Sequence, residues 1–164
     1  MKIGIIADTH DNIYAIREAV CFFNTQDLKY VIHAGDYVAP FSLKELMSVK
    51  AKFLGVFGNN DGERKGLLAV CKDIHEPPYD LIVDGRHIVV THMIKSLSGR
   101  SIVNTDIIIS AHTHAPEIKQ GNPLYINPGE CGGWLHGKST VAILDVKTFH
   151  AQIIDLSVVS LGKC

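Results

Sequence analysis

Apolar residues in this chain gather into short runs separated by polar turns, and the runs are of two kinds. "KIGIIA" (2–7), "YVIHAG" (30–35) and "KFLGVFG" (52–58) are nearly continuous apolar segments, the pattern of strands covered on both faces. Between the first two, Ile13, Ile16, Val20 and Phe23 recur at helical spacing, with Asp11 or Asn12 available as the N-cap. Pro40 then opens a helical stretch carrying Phe41, Leu43, Leu46, Met47 and Val49, and a short helix is expected over 63–71. The alternation of strand and helix predicts a parallel sheet with right-handed crossovers.

The second half changes character. "DLIV" and "RHIVVTH" flank Asp84–Gly85, a strong two-residue hairpin signal. "KSLSGRSIVN" (95–104) has a helical pattern weakened by Gly99. "DIIIS", "EIK", "LYIN", "TVAILDV" and "FHAQIIDL" follow as short strands. No Gly/Ser linker, low-complexity tract or repeat divides the chain, so residues 1–164 are expected to form one α/β domain of two packed sheets with helices outside.

What stands at the strand ends changes the picture. The first strand closes on Asp8-Thr9-His10, the second on Gly35-Asp36 and the third on Gly58-Asn59-Asn60-Asp61. The second hairpin strand closes on Thr91-His92, and the isoleucine strand on His112-Thr113-His114. Ligands of α/β sheets sit beyond the carboxyl ends of strands. Asp8, His10, Asp36, Asn59, His92, His112 and His114 are thereby directed to one edge. Each motif alone reads as a cap, a turn or a hydrogen-bonded histidine. It is their joint occurrence in five turns that points to a metal site.

Composition narrows the classes. The 164 residues, 46% of them hydrophobic, suffice for a sizeable core. Sixteen Lys+Arg against 17 Asp+Glu give a net charge of -1, with no electrostatic footprint for nonspecific nucleic-acid binding. Cys21, Cys71, Cys131 and Cys164 form no C-x-x-C pair and read as reduced thiols of a cytoplasmic protein. The N-terminus turns polar after one strand, so neither a signal peptide nor a membrane span is expected there. Cys164, as the last residue, does not fit a prenylation box.

In order, D-x-H, G-D, G-N-x-D, a lone His and H-x-H resemble the calcineurin-like metallophosphoesterases, and "GNND" with "INPG" (126–129) resembles their small prokaryotic phosphodiesterase branch. The resemblance runs from Asp8 to Gly129. It implies a four-layer α/β/β/α sandwich of two mixed sheets flanked by helices, with a dinuclear metal centre. Asp8, His10, Asp36 and His114 would hold one ion, and Asp36, Asn59, His92 and His112 the other, with Asp36 shared. The mixed oxygen and imidazole set, without thiolate, suits Mn²⁺ first, with Ni²⁺, Fe²⁺, Co²⁺ and Zn²⁺ as alternatives. The implied activity is hydrolysis of a small phosphodiester by a hydroxide bridging two ions, without a covalent enzyme intermediate. The ions' residual positive charge favours a phosphate anion over a neutral ester.

Three departures stand out. Asn60 occupies the position where many relatives carry a histidine that binds phosphate or protonates the leaving group, and Asn cannot be a general acid. Met93-Ile94 follow His92 where H-G-H is common, and Ala111 replaces a glycine before H-x-H. Asp61 reads equally as a turn residue or a substrate contact, and His33 as a packed or a site-supporting histidine. Cys131 and Trp134 lie in a Gly-rich loop that could border the pocket. Two other readings stay open: a non-catalytic scaffold like the retromer subunit built on this fold, and a nuclease. Homo-oligomerisation is open as well.

Overall fold

The computed structural model describes residues 1–159. Its first sheet has the order β11-β10-β1-β2-β3-β4. Strands β1 (Lys2–Ile6), β2 (Leu28–His33), β3 (Lys52–Val56) and β4 (Ile74–His75) run parallel. The antiparallel pair β10 (Thr140–Asp145) and β11 (His150–Asp155) extends the β1 side. The second sheet, β5-β6-β7-β9-β8, contains β5 (Tyr79–Val83), β6 (Arg86–Val90), β7 (Ile107–Ile109), β8 (Glu117–Lys119) and β9 (Leu124–Asn127). Its three central strands, β6, β7 and β9, are parallel. The result is an α/β fold of two mixed sheets flanked by three α-helices: α1 (Ile13–Thr25), α2 (Pro40–Leu46) and α3 (Arg64–Val70).

The continuous apolar runs are explained by what covers each face. Ile3, Ile5, Ile32 and Leu54 face Ile88, Val90, Ile107 and Ile109 across the sheets. The alternate residues Ile6, Val31 and Phe53 pack under Ile16, Phe23, Leu43 and Leu67 of the helices. A Cβ on Gly4 would stand 2.7 Å from the Phe23 ring, so glycine lets α1 lie close to the sheet. Asn12 caps α1, its side chain accepting from Ala15 N at 3.2 Å. Asp11 serves α2 instead, accepting from Ala39 N and Ser42 Oγ. The Asp84–Gly85 hairpin forms as expected, with both residues at positive φ.

Three expectations are corrected. Residues 95–104 do not form an α-helix: a 3-10 turn covers Ile94–Leu97, and Gly99 and Asn104 at φ 78° and 66° break any continuation. The β6–β7 crossover, on the second sheet's outer side, is therefore mostly irregular. The edge strand β4, two residues long, is too short to carry a sequence period. Cys71 and Cys131 are free, but Cys21 is disulfide-bonded, which removes the thiol argument for a reducing compartment. Cys164 lies outside the described residues. No helix among the described residues is long and apolar enough to cross a membrane.

Candidate metal centre

The carboxyl ends of β1, β2, β3, β6 and β7 meet at one edge, where backbone hydrogen bonds knit the turns together. Asp8 N donates to Gly35 O at 3.0 Å, and Thr9 N and His10 N both donate to Asp36 O. His92 Nδ1 donates to Ala34 O at 2.9 Å and His112 N to Asp8 Oδ2 at 3.1 Å, joining one sheet to the other. Asp8, His10, Asp36, His112 and His114 all have positive φ, between 39° and 71°. Such conformations cost non-glycine residues energy and cluster where function requires them. Gly58 must be glycine, since a Cβ would stand 2.0 Å from Asp36 Oδ1.

The side chains converge lone pair to lone pair. Asp8 Oδ1 lies 3.8 Å from His10 Nε2 and 3.7 Å from His114 Nε2. Asp36 Oδ2 lies 3.5 Å from His10 Nε2 and 3.3 Å from His92 Nε2, and Asn59 Oδ1 is 2.9 Å from that same His92 nitrogen. Two groupings have mutual ligand-atom distances within 4.8 Å: Asp8–His10–His114 and Asp8–Asp36–His92. Asp8 belongs to both, and Asp36 reaches a histidine of each. His112 joins through its ring, edge-on to His92 at 5.2 Å between centroids, and like Asn59 is exposed.

These distances fit a coordination shell. Atoms bound at about 2.1 Å stand roughly 3.0 Å apart in an octahedron and roughly 3.4 Å apart in a tetrahedron. With Nδ1 donating to Ala34 O, His92 turns Nε2 toward the Asn59 oxygen and Asp36 Oδ2, an arrangement that needs a cation or a proton between them. Asp8 Oδ1 and His10 Nε2 are buried without a hydrogen-bond partner. The residues present therefore fit divalent metal ions.

The electrostatics agree. Burial raises the Asp8 carboxyl to about 6, against the lowering pull of His92 and His114. Burial acts the same way on Asp36, but the hydrogen bond and charge of His92 and two donors from Asn60 outweigh it, and Asp36 titrates far below the usual range. Burial opposes the charged form of His92 too, yet Asp36 raises its pKa. His10 and His112 are lowered, chiefly by burial.

Sequence reasoning missed the residues that aim these groups. Glu130, 1% exposed, accepts from His114 Nδ1 at 3.0 Å, fixing the tautomer and turning Nε2 toward Asp8. Backbone N–H groups of Leu135 and His136 complete its shell. Buried Asn127 donates to Ala111 O and Thr113 Oγ1, holding the His-Thr-His turn. The only prior signal was position, both residues lying in or beside "INPG". Asp61 proves to be a turn organiser: its carboxylate accepts from the backbone N–H of Asp36, Val38 and Gly58. His33 is fully buried, accepts from Gly35 N and contacts Thr9 Oγ1, so it braces two ligand turns. Asn60 donates its side-chain amide to Asp36 Oδ2 at 2.7 Å. Cys131 is in the core under α1, whereas Trp134 is exposed and donates Nε1 to His10 O.

Comparison with known proteins gives concordant results. A model of the calcineurin-like phosphoesterase superfamily domain matches residues 1–149. Phosphodiesterase MJ0936 of Methanocaldococcus jannaschii is 39% identical over 157 residues, covering 90% of this chain and 94% of that protein. A solved structure described as a novel archaeal phosphodiesterase superposes with a TM-score of 0.86 at 35% identity, covering 94% of this chain and 99% of that one. Two more distant likenesses show the fold alone. The phosphoesterase Yfce of E. coli has a TM-score of 0.70 at 18% identity, covering 95% and 100% of the two chains. Zinc-complexed Vps29 of Entamoeba histolytica has a TM-score of 0.66 at 16% identity, covering 95% and 99%.

Glu130→Gln should weaken metal binding by about 10–100-fold while leaving the fold intact, because the amide keeps an acceptor for Leu135 and His136 but loses the charge that orients His114. Isothermal titration with Mn²⁺ measures the first effect and circular dichroism the second. Unchanged affinity would remove Glu130 from the site.

Proposed function

The chain belongs to the calcineurin-like phosphoesterase superfamily, and on that premise we propose that it is a phosphodiesterase working with two divalent transition-metal ions at the edge shared by its sheets. The observation that carries this reading is the meeting of acceptor atoms without donors between them, above all the unpartnered Asp8 Oδ1 and His10 Nε2. Asp8, His10, Asp36 and His114 would hold one ion, and Asp36, Asn59, His92 and His112 the other. The reach of Asp36 Oδ2 to both His10 and His92 supports its shared role. Mn²⁺ is the first choice of metal, with Ni²⁺, Fe²⁺, Co²⁺ and Zn²⁺ compatible with the same donors.

When bound, the ions supply Lewis acidity and lower the pKa of water to about 7, making a nucleophile available at neutral pH. The protein's own groups set the stage for that chemistry. Glu130 and Ala34 fix the histidine tautomers, and Asn60 steadies the shared carboxylate from one side. The converging carboxylates and imidazoles are the ones assigned to hold the ions, which supports direct hydrolysis without a covalent intermediate. A small anionic phosphodiester is the substrate class. A Vps29-like scaffold is the alternative, and the 39% identity to a phosphodiesterase over 90% of this chain, against 16% to Vps29, favours the enzyme.

Chelation should abolish hydrolysis of bis(p-nitrophenyl) phosphate, and added Mn²⁺ or Ni²⁺ should restore it. Undiminished turnover by demonstrably metal-free protein would overturn the mechanism. Asp36→Ala should impair loading of both positions, and His92→Ala mainly one, as read by metal titration. Normal binding of two ions by Asp36→Ala would contradict the assignment.

Asn60 has no proton to give a leaving group, and such protonation is worth roughly 10²–10⁴-fold for poor leaving groups. Rates should therefore fall steeply as leaving-group pKa rises, and Asn60→His should flatten that slope by helping alkyl more than aryl esters. Equal changes for both ester classes would reject the missing-acid reading.

A further inference from the structure

Beside the candidate metal centre lies a cavity of about 160 Å³, and Asn59 and His92 form part of its wall. A phosphoryl group held at those residues would have one ester substituent within reach of this space. Much of the remaining lining is polar by residue type, and several of its polar groups are already engaged with one another. Thr91 Oγ1 meets Ser96 Oγ at 2.5 Å, and the two hydroxyls reach the Met93 carbonyl at 3.2 and 2.8 Å. Arg64 donates Nε to Asp61 O, pairs with Glu76, and stacks its guanidinium carbon 4.6 Å from the Phe57 ring centroid. What is left of the apolar lining for a ligand to touch is Pro77 and the Met93 side chain, which is 39% exposed.

A charged or strongly hydrogen-bonding substituent would compete with these pairings, and burying it unsatisfied is costly. An apolar group loses nothing by entering. As a guide to size, an apolar cavity of about 150 Å³ accepts benzene. Resting on the phosphodiesterase reading above, we infer that this cavity is the subsite for one ester substituent, and that it selects an uncharged group of about one aromatic ring. Met93, standing where the related H-G-H pattern has glycine, supplies the apolar wall. The Arg64–Glu76 pair forms the rim and holds Phe57 covered.

The test uses Mn²⁺-loaded protein and non-hydrolysable phosphonates, which separate binding from turnover. Titration calorimetry should show phenylphosphonate binding roughly tenfold tighter than methylphosphonate, the gain from burying the ring. Naphthylphosphonate should bind no better than phenylphosphonate. In Met93→Gln, a substitution of similar length at a partly exposed position, the phenyl advantage should collapse while methylphosphonate affinity stays at the wild-type value. Equal affinity of phenyl- and methylphosphonate for the wild type would overturn the subsite and leave the metal centre standing. So would an equal loss for both ligands in Met93→Gln, or tighter binding of the naphthyl compound. Binding of neither phosphonate by metal-loaded protein would overturn the subsite and the catalytic reading together.

Discussion

Asp8 and Asp36 are almost fully withdrawn from water at the ends of adjacent parallel strands, 0% and 1% exposed, and the rest of the edge is arranged around that fact. Taking an ionised carboxylate out of water costs several kcal/mol in a real protein unless it is paired. Asp36 is stabilised by Asn60 and His92, which hold its proton off. Asp8 has a single backbone donor on Oδ2, and its other oxygen has none. His92 and His114 donate Nδ1 outward, to Ala34 and Glu130, and turn Nε2 inward. On the proposed reading, the two dry carboxylates would be balanced by positive charge from outside the chain.

That arrangement requires both sheets. Asp8, His10, Asp36 and Asn59 leave the first sheet, and His92, His112 and His114 leave the second. The apolar layer between them, with Ile3, Ile5 and Ile32 against Ile88, Ile107 and Ile109, fixes how the two sets of turns face each other. A slip of one residue along any strand would invert its side chains and move the ligand at its end. Core packing and site geometry are thus one problem, solved at the strand ends where the apolar runs stop.

The strands and the polar residues that close them were legible because each is a local event: an apolar run, then a polar atom at its end. Covered faces produced the continuous runs of β1 to β3, and Asp84–Gly85 announced its own turn. Glu130 and Asn127 were not legible. Their importance comes from His114 and Ala111, 16 residues away in each case and brought near only by folding. Asp61 was ambiguous for the same reason: the three backbone N–H groups that converge on it come from its own turn and from the 36–38 turn. Residues 95–104 misled because their apolar spacing is helical, while two left-handed residues decide otherwise. The cysteine spacing carried no information about which thiol finds a partner in space.

The five left-handed ligand residues have a thermodynamic consequence. Each such conformation costs roughly 1–2 kcal/mol for an ordinary L-residue. The backbone bonds between Asp8, Thr9 or His10 and the 35–36 turn, and the clasp of Asp61 on two turns, join groups of the protein to one another without passing through an ion. The strain is therefore offset during folding rather than at the moment of metal capture. An arriving ion has little ordering left to impose, so its intrinsic affinity is expressed almost undiminished. On the proposed reading, the shell would act as a rigid template, discriminating among metals by size and preferred geometry more sharply than a set of mobile loops could.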